Sequence, residues 1–88
     1  MAGPSFKLEI LTPRKRIFSG EVASLVAPGD LGYLGVLANH APLVSTLVPG
    51  KVTLRDAAGG AQVLQSTGDG LLEVHHNQVT LLVDGIAS

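Results

Sequence analysis

An all-β fold is predicted by three features of this sequence. Apolar and polar residues alternate at period two, turn residues interrupt that alternation at short intervals, and helical periodicity is absent. Phe6, Leu8 and Ile10 share one face of an opening strand, with Lys7 and Glu9 on the other. Pro13 ends it. Arg14 to Phe18 is the next extended run, Ser19-Gly20 turns or kinks the chain, and Glu21 to Ala27 continues extended, with Val22, Ser24 and Val26 opposite Ala23 and Leu25. Pro28-Gly29-Asp30 closes that run.

Gly29, Gly32 and Gly35 lie among Asp30, Leu31, Tyr33 and Leu34 in a stretch too rich in glycine for a helix, so a shaped loop or bulged strand is expected. Pro42 to Val48 reads as extended, Pro49-Gly50 as a turn, and Lys51 to Asp56 as a strand alternating Val52 and Leu54 with Thr53 and Arg55. Ala57-Ala58-Gly59-Gly60 leads to its antiparallel partner, Ala61 to Thr67. Gly68 and Gly70 around Asp69 turn the chain into Leu71 to His75, and His76-Asn77 makes a hairpin loop to Gln78 through Asp84. Roughly eight to ten short strands with turns between them is the pattern of a β-sandwich or barrel. No linker divides residues 1–88, so a single domain is expected. Leu71 and Leu82 make two late strands apolar on both faces. Either a second sheet covers them or they form a patch that docks another subunit.

Composition removes several function classes. The chain has 88 residues, 45% hydrophobic, 15% charged and 3% aromatic, with six Lys+Arg against seven Asp+Glu. A net charge of -1 offers no field for nucleic acid. A domain this small buries only about 60–65% of its unfolded surface, and with no Cys it depends on aliphatic packing. The absence of Cys fits a reducing compartment, and the N-terminus shows no secretory pattern. Residues 31–50 lack Asp, Glu, Lys and Arg over a membrane-spanning length, but their Gly, Pro, Asn and His content would break a helix in lipid.

Catalytic chemistry is poorly supplied. Adjacent His75 and His76 point to opposite faces of a strand and make a weak metal pair. Pro49-Gly50-Lys51 is followed by Val52, where a phosphate loop needs Ser or Thr. Gly68, Gly70 and Glu73 lack the third glycine and the βαβ setting of a dinucleotide site. The acids are scattered singly, and no nucleophile elbow surrounds Ser24, Ser45 or His40. The basic triplet Arg14-Lys15-Arg16 reads as a solvated edge or a contact for an acidic partner. No enzyme and no cofactor are expected.

Read in order, Phe18-Ser19-Gly20, Gly32-Tyr33-Leu34-Gly35-Val36, His40-Ala41-Pro42-Leu43, Pro49-Gly50 and Gly70-Leu71-Leu72-Glu73-Val74 resemble the N-terminal domain of the ε subunit of F-type ATP synthases, the counterpart of mitochondrial δ. The likeness runs from about Phe6 to Ala87; each motif alone is weak, and their order and separation make it specific. It implies a flattened β-sandwich of about ten short, mostly antiparallel strands. It also implies a rotor subunit that joins γ to the polar loops of the c-ring, couples ion-driven rotation to ATP synthesis and catalyses nothing itself. Such a subunit is peripheral, on the cytoplasmic face of the energy-transducing membrane, and does not insert into it. Carried over residue by residue, the c-ring loop is Gly29, Asp30, Leu31, Gly32 and Tyr33, and the γ-facing residues are Thr12, His40, Leu43 and Ser45. Tyr33 departs from the polar or acidic residue usual between the glycine and leucine of that motif, with Asp30 as the nearby charge. The family commonly adds an inhibitory helical hairpin; this sequence stops at Ser88, so neither inhibition nor ATP binding is expected from it.

Two other classes fit an all-β chain of this size. A biotinyl or lipoyl carrier needs a modifiable Lys at a hairpin tip, for which Lys51 is the candidate. A sugar-binding sandwich needs aromatic rings, for which Phe6, Phe18 and Tyr33 are a poor supply.

Overall fold

The computed structural model describes residues 3–87. They form eight strands and no helix: β1 Phe6–Leu11, β2 Arg16–Val22, β3 Ser24–Gly29, β4 Gly32–Leu37, β5 Leu43–Leu47, β6 Gly50–Arg55, β7 Ala61–His75 and β8 Gln78–Ala87. The all-β expectation holds. The strands number eight rather than about ten, the segments Ala61 to Thr67 and Leu71 to His75 being one continuous strand, and all pairings are antiparallel except β1 with β8.

The long β7–β8 ribbon organises the two layers. The second half of β7 pairs with β5 and the first half of β8, and β1 and β2 extend that layer outward. The first half of β7 pairs with β6, and β3 and β4 extend the other layer. Between the halves, Thr67 pairs with Gly85 and Gly70 with Val83, so Gly68 and Asp69 stand opposite Asp84 alone. The predicted turn at Gly68-Asp69-Gly70 is therefore a β-bulge within one strand. Gly68 takes φ 69°, and the extra residue bends the ribbon so that its two halves face each other.

Side chains from both layers fill the space between. Phe6, Leu8, Ile10, Leu72, Val74, Val79 and Leu81 come from one layer, and Leu25, Ala27, Val36 and Val52 from the other, all essentially buried. The expected alternation holds in β1 and β6. At Glu21 to Ala27 it does not: Val22 is buried, but Leu25 and Ala27 are buried next while Ser24 and Val26 face outward. Ala23 breaks the run, its N–H donating to the Arg55 carbonyl at 2.6 Å, and the chain leaves β1 to pair with β6. Changing layers at one residue reverses which parity meets the core.

Ser19-Gly20 runs straight through β2 without a turn, because both residues stay paired with Glu9 and Leu8. Of the loop or bulged strand expected there, Gly32–Leu37 is a strand, paired without a bulge, and Pro28-Gly29 lies inside β3. The His76-Asn77 loop is as expected, both residues having positive φ, 50° and 60°, as a two-residue hairpin requires.

Candidate functional site

The c-ring loop predicted from the sequence is the tip of the β3–β4 hairpin. Gly29 pairs with Gly32, leaving Asp30 and Leu31 as the two turn residues. A side chain at Gly29 would stand 2.5 Å from Leu34 Cδ2 and 2.7 Å from the Gly32 carbonyl, so close packing fixes that glycine. Gly32 carries the positive φ, 127°, that returns the chain to the strand. The tip is tied to β5 by Asp30 N–H donating to the Thr46 carbonyl at 3.1 Å and by Val48 N–H donating to the Pro28 carbonyl at 2.9 Å.

Tyr33 has a structural task. Its hydroxyl accepts the Lys51 N–H at 3.1 Å, drawing the ring across the start of β6 on the outer face of that layer. Gly29, Gly32 and Tyr33 thus shape the hairpin, and the side chains of Asp30 and Leu31 are left exposed at its tip. Leu31 is fully exposed, at 102%.

A groove of about 580 Å³ separates this hairpin from β5, lined by Asp30, Leu31, Tyr33, Val44, Ser45 and Leu71. It brings Ser45 to the predicted c-ring loop. The Ser45 hydroxyl donates to the adjacent Thr46 carbonyl at 3.2 Å. Leu43 is half-buried against the core, its paired residue being buried Val74. His40 lies beyond the far end of β4, exposed, with Nδ1 2.7 Å from the Ala41 carbonyl. A carbonyl only accepts, so Nδ1 is the donor in that bond, and in the neutral ring Nε2 is then an acceptor.

Thr12 is not brought to these three. It lies in the β1–β2 turn, where its hydroxyl accepts the N–H groups of Arg14 and Lys15 and donates to the Lys15 carbonyl. From the register of β1, β8, β7 and β5 it stands three strands from β5, about 14 Å at ordinary spacing. Arg16, the last of the basic triplet, pairs with Glu9 at 3.4 Å on the solvated surface.

Sequence reasoning missed Asn77 as a tie between elements. Its Oδ1 accepts the Asn39 N–H at 2.6 Å and its Nδ2 donates to the Ser5 carbonyl at 2.9 Å, which closes the His40 end of the sandwich. The outer stripe of Leu71 and Leu82 is also longer than expected. Leu11 pairs with Leu82 and Leu82 with Leu71, and with Pro13 they line a groove of about 400 Å³. Leu82 remains 45% exposed, so no second sheet covers that face. Only the register, invisible to strand-by-strand reading, aligns Leu11 with the other two.

Neither alternative class is favoured by the geometry. Lys51 sits within β6 rather than at a hairpin tip. Phe6 is buried and Phe18 half-buried, which leaves Tyr33 as the one exposed ring among the Phe and Tyr residues described.

Comparison with known proteins gives a consistent result. A family model described as "ATP synthase, Delta/Epsilon chain, beta-sandwich domain" matches residues 5–88. The ATP synthase epsilon chain of Dichelobacter nodosus is 44% identical over 82 residues, covering 93% of this chain and 57% of that protein. The epsilon chain of Moorella thermoacetica is 44% identical over 80 residues, covering 91% and 59%. The chain thus spans somewhat over half the length of these relatives. Among solved structures, a chain of the Euglena gracilis mitochondrial ATP synthase (OSCP/F1/c-ring) superimposes with a TM-score of 0.89 at 20% identity, over 99% of this chain and 55% of that one. A chain of the Tetrahymena thermophila central stalk and c-ring gives 0.80 at 16%, over 100% and 69%. At those identities the structures speak for the fold. The family match and the close relatives speak for descent: this chain belongs to the family of ATP synthase delta/epsilon chain β-sandwich domains.

Proposed function

We propose that the chain acts in the rotor stalk of an F-type ATP synthase, joining the γ subunit to the polar loops of the c-ring and carrying rotation between them. The observation that carries this reading is the 44% identity to the Dichelobacter epsilon chain over 93% of the sequence. The role is mechanical. No bond is made or broken on this chain's residues, and it lies peripherally on the membrane face that bears F1, the cytoplasmic face in a bacterium.

Two features support a docking division. The exposed Asp30-Leu31 tip, braced by β5 on one side and by Gly29, Gly32 and Tyr33 on the other, is a rigid projection suited to a c-ring loop. His40, Leu43 and Ser45 lie along β5 and the loop before it, and Nε2 of His40 is free to accept a bond from γ. Thr12 joins the γ contact only if that surface reaches across the outer face of β7, β8 and β1.

Co-elution of the chain with γ from the same organism, with and without the c-ring, tests this directly. A stable one-to-one complex with γ is expected. His40→Ala should weaken it about fivefold if Nε2 is used, the loss of one ordinary hydrogen bond. Separate elution at micromolar concentration would reject the reading.

A further inference from the structure

We propose that the free edge of β4 is a self-pairing surface, through which two copies of this chain associate strand to strand about Gly35. Among the described residues β4 pairs only with β3. Its polar groups can be sorted by parity. The Pro28 carbonyl points away from β4 to Val48 N–H, so Gly29, Ala27 and Leu25 are the β3 residues whose polar groups face β4. Their partners Gly32, Leu34 and Val36 answer them, and the backbone groups of Tyr33, Gly35 and Leu37 project from the open edge. The Leu37 carbonyl already receives a long bond from His40 N–H, 3.3 Å, and keeps its second lone pair.

An antiparallel copy centred on Gly35 satisfies this edge symmetrically. Gly35 meets Gly35 of the second copy and exchanges two bonds, and on either side Tyr33 meets Leu37 and Leu37 meets Tyr33. The same register sets each Tyr33 side by side with a Leu37 on the outer face, where the two are 60% and 65% exposed. On the inner face it sets Leu34 beside Val36. Closed two-fold symmetry uses one patch twice, and this patch is complementary to itself in both hydrogen bonds and side chains.

The other free edge shows what a guarded strand looks like here. β2 presents Arg16 and Glu21, charges that discourage strand addition, whereas β4 reads Gly-Tyr-Leu-Gly-Val-Leu with no charge and no proline. With a six-residue strand from each side the buried area falls below that of standard complexes, so a weak dimer is expected, with Kd of roughly 0.1 mM.

Sedimentation equilibrium of the chain over a range of concentrations reads the dimer. Gly35→Lys sets two like charges opposite each other, and a Cβ there would meet nothing nearer than the Leu25 carbonyl at 3.9 Å beyond its two chain neighbours, so the fold should be retained. It should weaken association at least about tenfold. Leu37→Lys repeats the test at an already exposed side chain. Val63→Lys, on the same outer face but away from the edge and 57% exposed, should leave the dimer unchanged. The proposal is overturned by a chain that stays monomeric into the millimolar range. It is equally overturned if Val63→Lys abolishes association while the two edge variants keep it, since the apolar faces would then be stacking.

Discussion

Tyr33 and Lys51 are joined through the hydroxyl of one and the backbone N–H of the other, at 3.1 Å, across eighteen positions of sequence. The bond ties the tip end of the β3–β4 hairpin to the start of β6, next to Gly50, where any side chain would crowd the same hydroxyl at 3.0 Å. Tyr33 is therefore a brace.

Tyr33→Phe removes that bond and little else. Lys51 N–H is exposed and can turn to water, so a loss at the low end for a hydrogen bond, about 0.5 kcal/mol, is expected in urea denaturation. The midpoint should shift with no change in slope. An unchanged midpoint would mean that water replaces the phenol without loss.

Ser66 is the one buried polar side chain among the described residues, and it exchanges two bonds with the backbone of Gly50: its hydroxyl donates to the carbonyl at 3.1 Å and accepts the N–H at 3.3 Å. Ser66→Ala leaves both groups short of a partner where water is scarce. A destabilisation of about 1–3 kcal/mol follows, readable as a lowered urea midpoint. Ser66→Thr keeps the hydroxyl and should lose less, provided the extra methyl is accommodated.

What could be read beforehand divides along physical lines. Phe6, Leu8 and Ile10, or Val52 and Leu54, declared their buried face because each strand stays in one layer and period two survives. The run through Val22 and Leu25 misled because Ala23 moves the chain between layers, an event set by its bond to distant Arg55 rather than by local composition. Gly68-Gly70 looked like a turn because bulge and turn ask for the same residues; the ribbon partner Asp84 decides between them. At the candidate site the glycine-rich tip was visible as a motif, but its division into shaping residues and free ones was not. That division rests on Tyr33 reaching Lys51 and on Asp30 reaching Thr46, contacts that no spacing rule predicts.

Two glycines should respond in opposite directions. A Cβ at Gly70 would meet the Leu82 carbonyl at 2.5 Å, backbone against which nothing can yield cheaply, so Gly70→Ala should destabilise by about 2 kcal/mol or more. Gly35 has open space and no positive φ, so Gly35→Ala should be neutral or stabilise by up to about 1 kcal/mol, chiefly by restricting the unfolded chain. Thermal melts of the pair would decide it; two losses of equal size would mean that the strand register, and not the local space, governs both sites.

Leu31 gives the sharpest separation of docking from folding. Its side chain is entirely in solvent and its neighbour Asp30 supplies the backbone bond that fixes the tip. Leu31→Asp should therefore leave the melting temperature of the isolated chain unchanged while weakening binding to the c-ring about tenfold, as loss of a central apolar anchor does. Leu31→Ala, which keeps the surface apolar and adds no charge beside Asp30, should weaken it less. Equal losses from the two variants would assign the effect to leucine packing alone, and unchanged binding in both would move the c-ring contact off the hairpin tip, leaving the groove between Tyr33 and Ser45 as the surface to test.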